Sequence, residues 1–140
     1  MLVINDVPIQ CIHQAESLYA IPAKLIISVL KTEGGYIGAK IKNSNGSYDY
    51  GPMQINSLWI PVIKKYGYTK TDIQFNPCIN VKIGAWILNQ KMADETRFWQ
   101  GVGDYHSHTP NLNLTYSKKV YGHYEDISRV LEGEEFSNMK

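Results

Sequence analysis
The sequence predicts a mainly α domain with one small irregular or β-hairpin lobe, and three observations predict it. Apolar residues recur at helical spacing in six segments along the chain. Between residues 38 and 56 that spacing stops and turn-forming residues take over. Finally, 140 residues with 44% hydrophobic and 19% charged side chains are enough for one packed core, and too apolar for a disordered chain.

The elements follow in order. Asp6 suits an N-cap, with Val7 and Pro8 in the first turn, and Ile9, Ile12, Ala15 and Leu18 or Tyr19 line one helical face. A second helix is expected from Pro22 to Thr32 or Glu33, stopped by Gly34-Gly35. From Gly38 to Asn56 the chain reads as a long ordered loop, with a hairpin at Asn45-Gly46. Helical spacing resumes over Ser57 to Tyr66, after the Asn76-Pro77 cap, after Asp94 as a further cap, and from about Thr115 to Leu131. Residues 1–131 make one domain, and 132–140 read as a mobile C-terminal tail.

Charge and composition exclude some classes. Fourteen basic residues against thirteen acidic ones leave a net charge of +1, with no electrostatic footprint for nucleic acid or anionic lipid. No apolar run approaches the roughly 20 residues needed to span a bilayer. Met1 to Ile4 lack the features of a signal peptide, so the protein stays in the cell or a signal has been removed. Cys11 and Cys78 are too few for a zinc site, and their composition leaves a disulfide and two buried thiols both open. His106 and His108 lack a third ligand, so neither metal nor cofactor is expected. His13 and His123 read as helix-face residues. Trp59, Trp86 and Trp99 sit among aliphatics at helical spacing and read as core.

The chemistry begins at Glu33. The stripe Ile26, Val29, Leu30 places a carboxylate at the next apolar position, at the end of a helix. Partial desolvation and the negative end of the helix dipole both favour the protonated form. An acid that keeps its proton near neutral pH can protonate a leaving glycosidic oxygen. A frayed, solvent-facing Glu at a helix end is the alternative. Downstream lie Asn43-Ser44-Asn45-Gly46-Ser47, then Asp49-Tyr50-Gly51-Pro52-Met53-Gln54-Ile55-Asn56, then Trp59.

Acid, Gly-Gly break, polar loop and Gly-x-Met-Gln-Ile-Asn together resemble the Slt-type lytic transglycosylase domain, a family related to goose-type lysozyme. Within it, the likeness is to the small enzymes of conjugation, pilus and secretion systems. Asn76-Pro77-Cys78-Ile79-Asn80-Val81 with Gly84-Ala85 resembles the family's next helix, and Tyr105 the tyrosine of its Ala-x-x-Tyr-Asn element. The likeness covers about residues 8 to 125. Gly34 stands where the family often has Ser, and His106 where it has Asn.

The resemblance implies a lysozyme-like fold and cleavage of peptidoglycan between N-acetylmuramic acid and N-acetylglucosamine, closing a 1,6-anhydro ring. Glu33 would be acid and then base, with Tyr105 hydrogen bonding to it. Asp49 would be a second carboxylate, or merely a turn cap. Gln54 and Asn56 would offer amides to sugar groups, Met53 and Tyr48 would floor the groove, and His106 would join the substrate contacts. Cys11 and Cys78 would bridge, which requires an oxidising compartment. That places a monomeric enzyme in the periplasm or outside the cell, its signal peptide removed, beside components of an envelope apparatus. A lysozyme-type hydrolase and a catalytically weak glycan-binding scaffold are the competing readings.

Overall fold
The chain opens as a hairpin, not a helix. In the computed structural model, which describes the backbone of residues 2–139 and the side chains of residues 2–133, β1 (Val3–Ile4) pairs antiparallel with β2 (Val7–Pro8). Asn5 and Asp6 form its two-residue turn, both at positive φ (51° and 67°), as an I′-type hairpin requires. Asp6 is therefore a turn residue and not the expected N-cap; helix α1 (Ile9–Tyr19) starts after Pro8, without a side-chain cap.

Helix α2 (Ala23–Glu33) has the bounds its signals imply, ending at Gly34 in the left-handed region (φ 65°). The expected loop is more regular than its composition suggests. Strands β3 (Lys40–Lys42), β4 (Tyr48–Tyr50) and β5 (Ile55–Asn56) form an antiparallel sheet in that order. The β3–β4 turn closes around Asn45-Gly46, with Gly46 at φ 87° and the Asn43 amide donating to the Ser47 carbonyl.

A 3-10 turn (Ser57–Trp59) leads into α3 (Ile60–Lys64). Helix α4 (Lys70–Phe75) lies outside the segments anticipated, although Thr69 and Asp72 form a full capping box. Asn76 caps α5 (Pro77–Ala93) by accepting from the Ile79 amide. Asp94 ends α5 instead of starting α6 (Phe98–Asp104), whose N-cap position is Arg97. Helix α7 (Pro110–Met139) starts five residues earlier than expected, because Pro110 fits the first helical turn. Its backbone also runs on through most of the stretch read as a tail, past Leu131 to Met139; Lys140 lies outside the described residues.

Helix α2 packs on α7, α1 on α5, and α6 between α5 and α7. The core fills with Ile12, Leu25, Ile26, Val29, Leu30, Leu88, Val102 and Val120, all fully buried. Cys11 and Cys78 are joined, with Cα atoms 5.2 Å apart, tying α1 to the first turn of α5. The fold is thus mainly α with a small antiparallel sheet, and the cleft lies where that sheet meets α2, α5 and α6.

Candidate active site
Glu33 stands at the last position of α2, where the apolar stripe delivers it to the cleft. The backbone on either side of it is fastened. Asn5 Nδ2 donates to the Leu30 carbonyl (2.7 Å), which also accepts from the Gly34 amide, and the Asp6 carboxylate accepts from the Ile37 amide. Gly35 packs so closely on the Gly51 and Pro52 carbonyls that any Cβ there would overlap them. The acid is held from both sides of its turn.

Burial is the main cause that raises the Glu33 carboxyl from 4.5 to about 7; the nearby Asp49 charge adds to it. Opposing both, the Tyr116 hydroxyl donates to Glu33 Oε2 at 2.6 Å, which favours the ionised form. Tyr116 comes from α7, is 6% exposed, and stacks flat on His106 with centroids 4.9 Å apart. Burial and the neighbouring Glu33 carboxyl push the Tyr116 and Tyr105 hydroxyls well above their usual range, so both remain donors. The hydrogen bond that the sequence reading assigns to Tyr105 is made by Tyr116. Tyr105 instead donates to the Met53 carbonyl at 2.7 Å, because its hydroxyl reaches the backbone beside the sheet.

On β4 the side chains alternate. Tyr50 enters the core and Asp49 faces the cleft. Asp49 pairs in register with Asn56 of β5, whose Nδ2 donates to Asp49 Oδ1 and to Ser47 Oγ, each at 3.0 Å. Asn56 Oδ1 accepts from the Leu58 amide, capping the 3-10 turn. Its amide group is engaged at both ends, so Asn56 serves first to hold Asp49. Tyr48 is set off from the cleft by the same alternation; its ring lies under Lys40 Nζ and near Tyr50.

The Gly-Pro-Met-Gln turn has a clear physical basis. Gly51 takes φ 68° and abuts the Asn80 amide, leaving no room for a side chain. Fully buried Asn80 donates from Nδ2 to the Tyr50 and Ile73 carbonyls and accepts from the Met53 amide through Oδ1. Met53 is fully buried against Gly84, so it supports the groove from within the core and does not line it. Gln54, at φ 53°, does line the cleft, with Nε2 bound to the Gly51 carbonyl.

The cleft holds about 380 Å³. It brings together Glu33, Asp49, Gln54, Asn56, Tyr105 and His106 of the anticipated residues, and leaves Tyr48 and Met53 outside. Tyr116 and Asn80 are missed by sequence reasoning. Trp59, read as core, packs against it edge-on to Trp86 and also lines the cleft. Trp99 does pack as expected, among Phe98, Tyr121 and Tyr124. Extending the Val120–Tyr124 stripe back one turn would have found Tyr116.

Comparison with known proteins gives the same outline. The chain is 32% identical to the invasion protein IagB of Salmonella typhi over 135 residues, 93% of this chain and 84% of that protein. It is 32% identical to protein IpgF of Shigella flexneri over 123 residues, 84% of this chain and 81% of that one. A peptidoglycan-binding-like protein of Escherichia coli O157:H7 is 33% identical over 132 residues, covering 86% and 79% of the two chains. The profile of the Transglycosylase SLT domain matches residues 10–120, a span holding Glu33, the whole sheet and Tyr116. With the acid, the sheet and the glycine-bound turn all inside that span, the chain belongs to the transglycosylase SLT domain family.

Proposed function
We propose that this protein is a peptidoglycan lytic transglycosylase, and that residues 1–131 are its catalytic domain. The observation that carries the reading is Glu33: a cleft carboxyl whose proton is retained to about pH 7 and whose position is set by the Tyr116 hydroxyl. In the mechanism, the neutral acid gives its proton to the oxygen bridging N-acetylmuramic acid and N-acetylglucosamine as the C1–O bond breaks. Positive charge develops on the muramyl ring, and the Asp49 carboxylate, held by Asn56, faces it from the sheet. Glu33, now ionised, takes the proton from the C6 hydroxyl while that oxygen bonds to C1. The ring closes as a 1,6-anhydro sugar, no water is consumed, and Glu33 ends protonated as it began.

Support for the setting comes from two directions. The Cys11–Cys78 bridge suits the oxidising periplasm or cell exterior, where peptidoglycan lies. One relative is named an invasion protein and another peptidoglycan-binding-like, which fits an enzyme acting on the cell wall. On this reading it is a monomer that opens the wall for a secretion, conjugation or pilus apparatus.

The test is product analysis on purified sacculi by mass spectrometry, with the wild type and Glu33→Gln. Anhydromuramyl ends from the wild type, and turnover reduced about a thousandfold in the variant, are expected. Reducing ends heavier by one water would assign a hydrolase instead, and equal lysis by both proteins would leave only a glycan-binding scaffold. The wild-type rate should also fall as pH rises through about 7, where Glu33 loses its proton.

A further inference from the structure
On the cleft wall formed by α5, Lys91 follows Ile87 by one turn, and both residues line the cleft. Among the described residues there, Lys91 is the one lysine or arginine, set against the carboxylates Glu33, Asp49 and Asp104. Its Nζ lies 3.2 Å from His108 Nε2 and 5.9 Å over the Trp59 ring. On the other side of that imidazole, Nδ1 is 3.3 Å from Asp104 Oδ1. Asp104 is buried, and the same oxygen accepts from Asn113 Nδ2 at 2.8 Å. Asn113 is itself locked, donating to the Gln100 and Ser107 carbonyls and packing against Gly103.

The imidazole lies between the two groups, its Nε2 toward Lys91 and its Nδ1 toward Asp104. An ammonium carries three N–H donors, so one suffices for the contact with His108 and two are left for a ligand. Among the described residues no carboxylate lies within ion-pair distance of it. Lys91 thus stands on the wall of a sugar-sized cleft with N–H donors to spare.

We propose that Lys91, positioned by His108, Asp104 and Asn113, recognises a carboxylate carried on the glycan. The proposal rests on the glycan reading above and deepens it. N-acetylglucosamine is neutral, whereas each muramyl sugar bears a lactyl group at O3, either as a free acid or joined to a peptide with its own carboxylates. A fixed ammonium therefore distinguishes the two alternating sugars and sets the strand's register, so that the muramyl C1 meets Glu33. The Trp59 ring beside Lys91 adds an apolar surface for a pyranose face.

The experiment uses Glu33→Gln protein as a binder, so that no probe is consumed, and titration calorimetry at low salt. Three tetrasaccharide probes are compared: an N-acetylglucosamine oligomer, the alternating glycan with free lactyl acids, and the same glycan bearing peptide stems. An acid-bearing glycan should bind more tightly than the neutral one. Adding Lys91→Met should weaken that binding about tenfold while leaving the neutral probe's Kd unchanged. Loss on the free-acid probe identifies the lactyl group as the partner, and loss confined to the stem-bearing probe identifies the peptide. An equal change on all three probes, or no change on any, overturns the proposal. Failure of the Glu33→Gln parent to bind any probe would sink the glycan reading itself, and the register role with it.

Discussion
In the helical body, α2 packs on α7 and α1 on α5, with fully buried side chains such as Val29 and Val120 on the first pair and Ile12 and Leu88 on the second, and a disulfide crosses the second of these contacts. In the lobe from Lys40 to Trp59, Tyr50, Met53 and Ile55 reach the core, and the rest is held by amides, hydroxyls and glycines. Ser47 Oγ accepts from Asn43 and Asn56 and donates to Asn45, while buried Asn80 ties the Gly51–Met53 turn to α5. Apolar contacts are non-directional, so they stabilise without fixing any one polar atom. Hydrogen bonds stabilise less on balance but set direction. The body supplies most of the stability, and the lobe aims the groups that face the cleft. Substitutions in the two regions should therefore separate stability from turnover.

The largest effect on stability should come from the body. The chain-entropy account gives a bridge closing a loop of this length about 4 kcal/mol, so the Cys11→Ser/Cys78→Ser variant should lose that much in urea titration. Its product on sacculi should be unchanged well below its Tm. An unaltered urea midpoint would mean the bridge contributes nothing, and an altered product would erase the division between body and lobe.

Asn80→Ala cuts across the division from the other side. It leaves the Met53 amide and the Tyr50 and Ile73 carbonyls without partners in a fully buried site. A loss of about 3 kcal/mol is expected. Turnover should fall at temperatures where the variant is still folded, because Met53's carbonyl also anchors Tyr105. Full activity at unchanged fold content would show that the turn needs no such anchor.

Glu33→Gln sharpens the contrast by gaining stability as it loses function. The sign follows from linkage: the carboxyl titrates near 7 when folded and near 4.5 when unfolded, so between those values the folded state binds more protons. Raising the pH through that window therefore destabilises the wild type. The penalty approaches about 3 kcal/mol by pH 8 and is nearly absent at pH 4. Gln carries no such penalty, so the Tm of Glu33→Gln should exceed that of the wild type at pH 8 and match it at pH 4. A constant difference at both pH values would mean that the carboxyl is ordinarily hydrated.

How much of this was legible in advance follows the same division. Helix α2, its glycine stop and the acid at its end were readable because periodicity and capping are local signals. Gly51 to Asn56 was readable as a motif, but what its side chains do was not. Met53 and Asn56 suggest sugar contacts by chemical type, yet one is buried in the core and the other is committed to Asp49, Ser47 and Leu58. Asn80 looks like an ordinary helix residue until α5 is laid beside the turn it holds. Of the sheet, the Asn45-Gly46 hairpin is legible, whereas the third strand reads as loop because turn formers surround it and the strands are only two or three residues long. Local pattern finds elements; the partner of a hydrogen bond made across the fold lies beyond its reach, as Tyr116 and Glu33, 83 residues apart, illustrate.

Tyr116→Phe should produce the smallest of these effects, and it probes the one place where body and lobe chemistry meet. Tyr116 belongs to the body by burial, yet its hydroxyl makes a directional contact with the acid. Removing that hydroxyl leaves the stacked ring beside His106 in place, so the fold should be nearly undisturbed. The lost hydrogen bond had favoured the ionised carboxyl, so Glu33 should hold its proton to higher pH than the wild type. The alkaline limb of the pH–rate profile should therefore move upward, while the rate at pH 6 falls less than about tenfold from looser aim. A limb that stays at its wild-type position, or moves downward, would show that Tyr116 is only packing. The role of orienting the acid would then return to Tyr105.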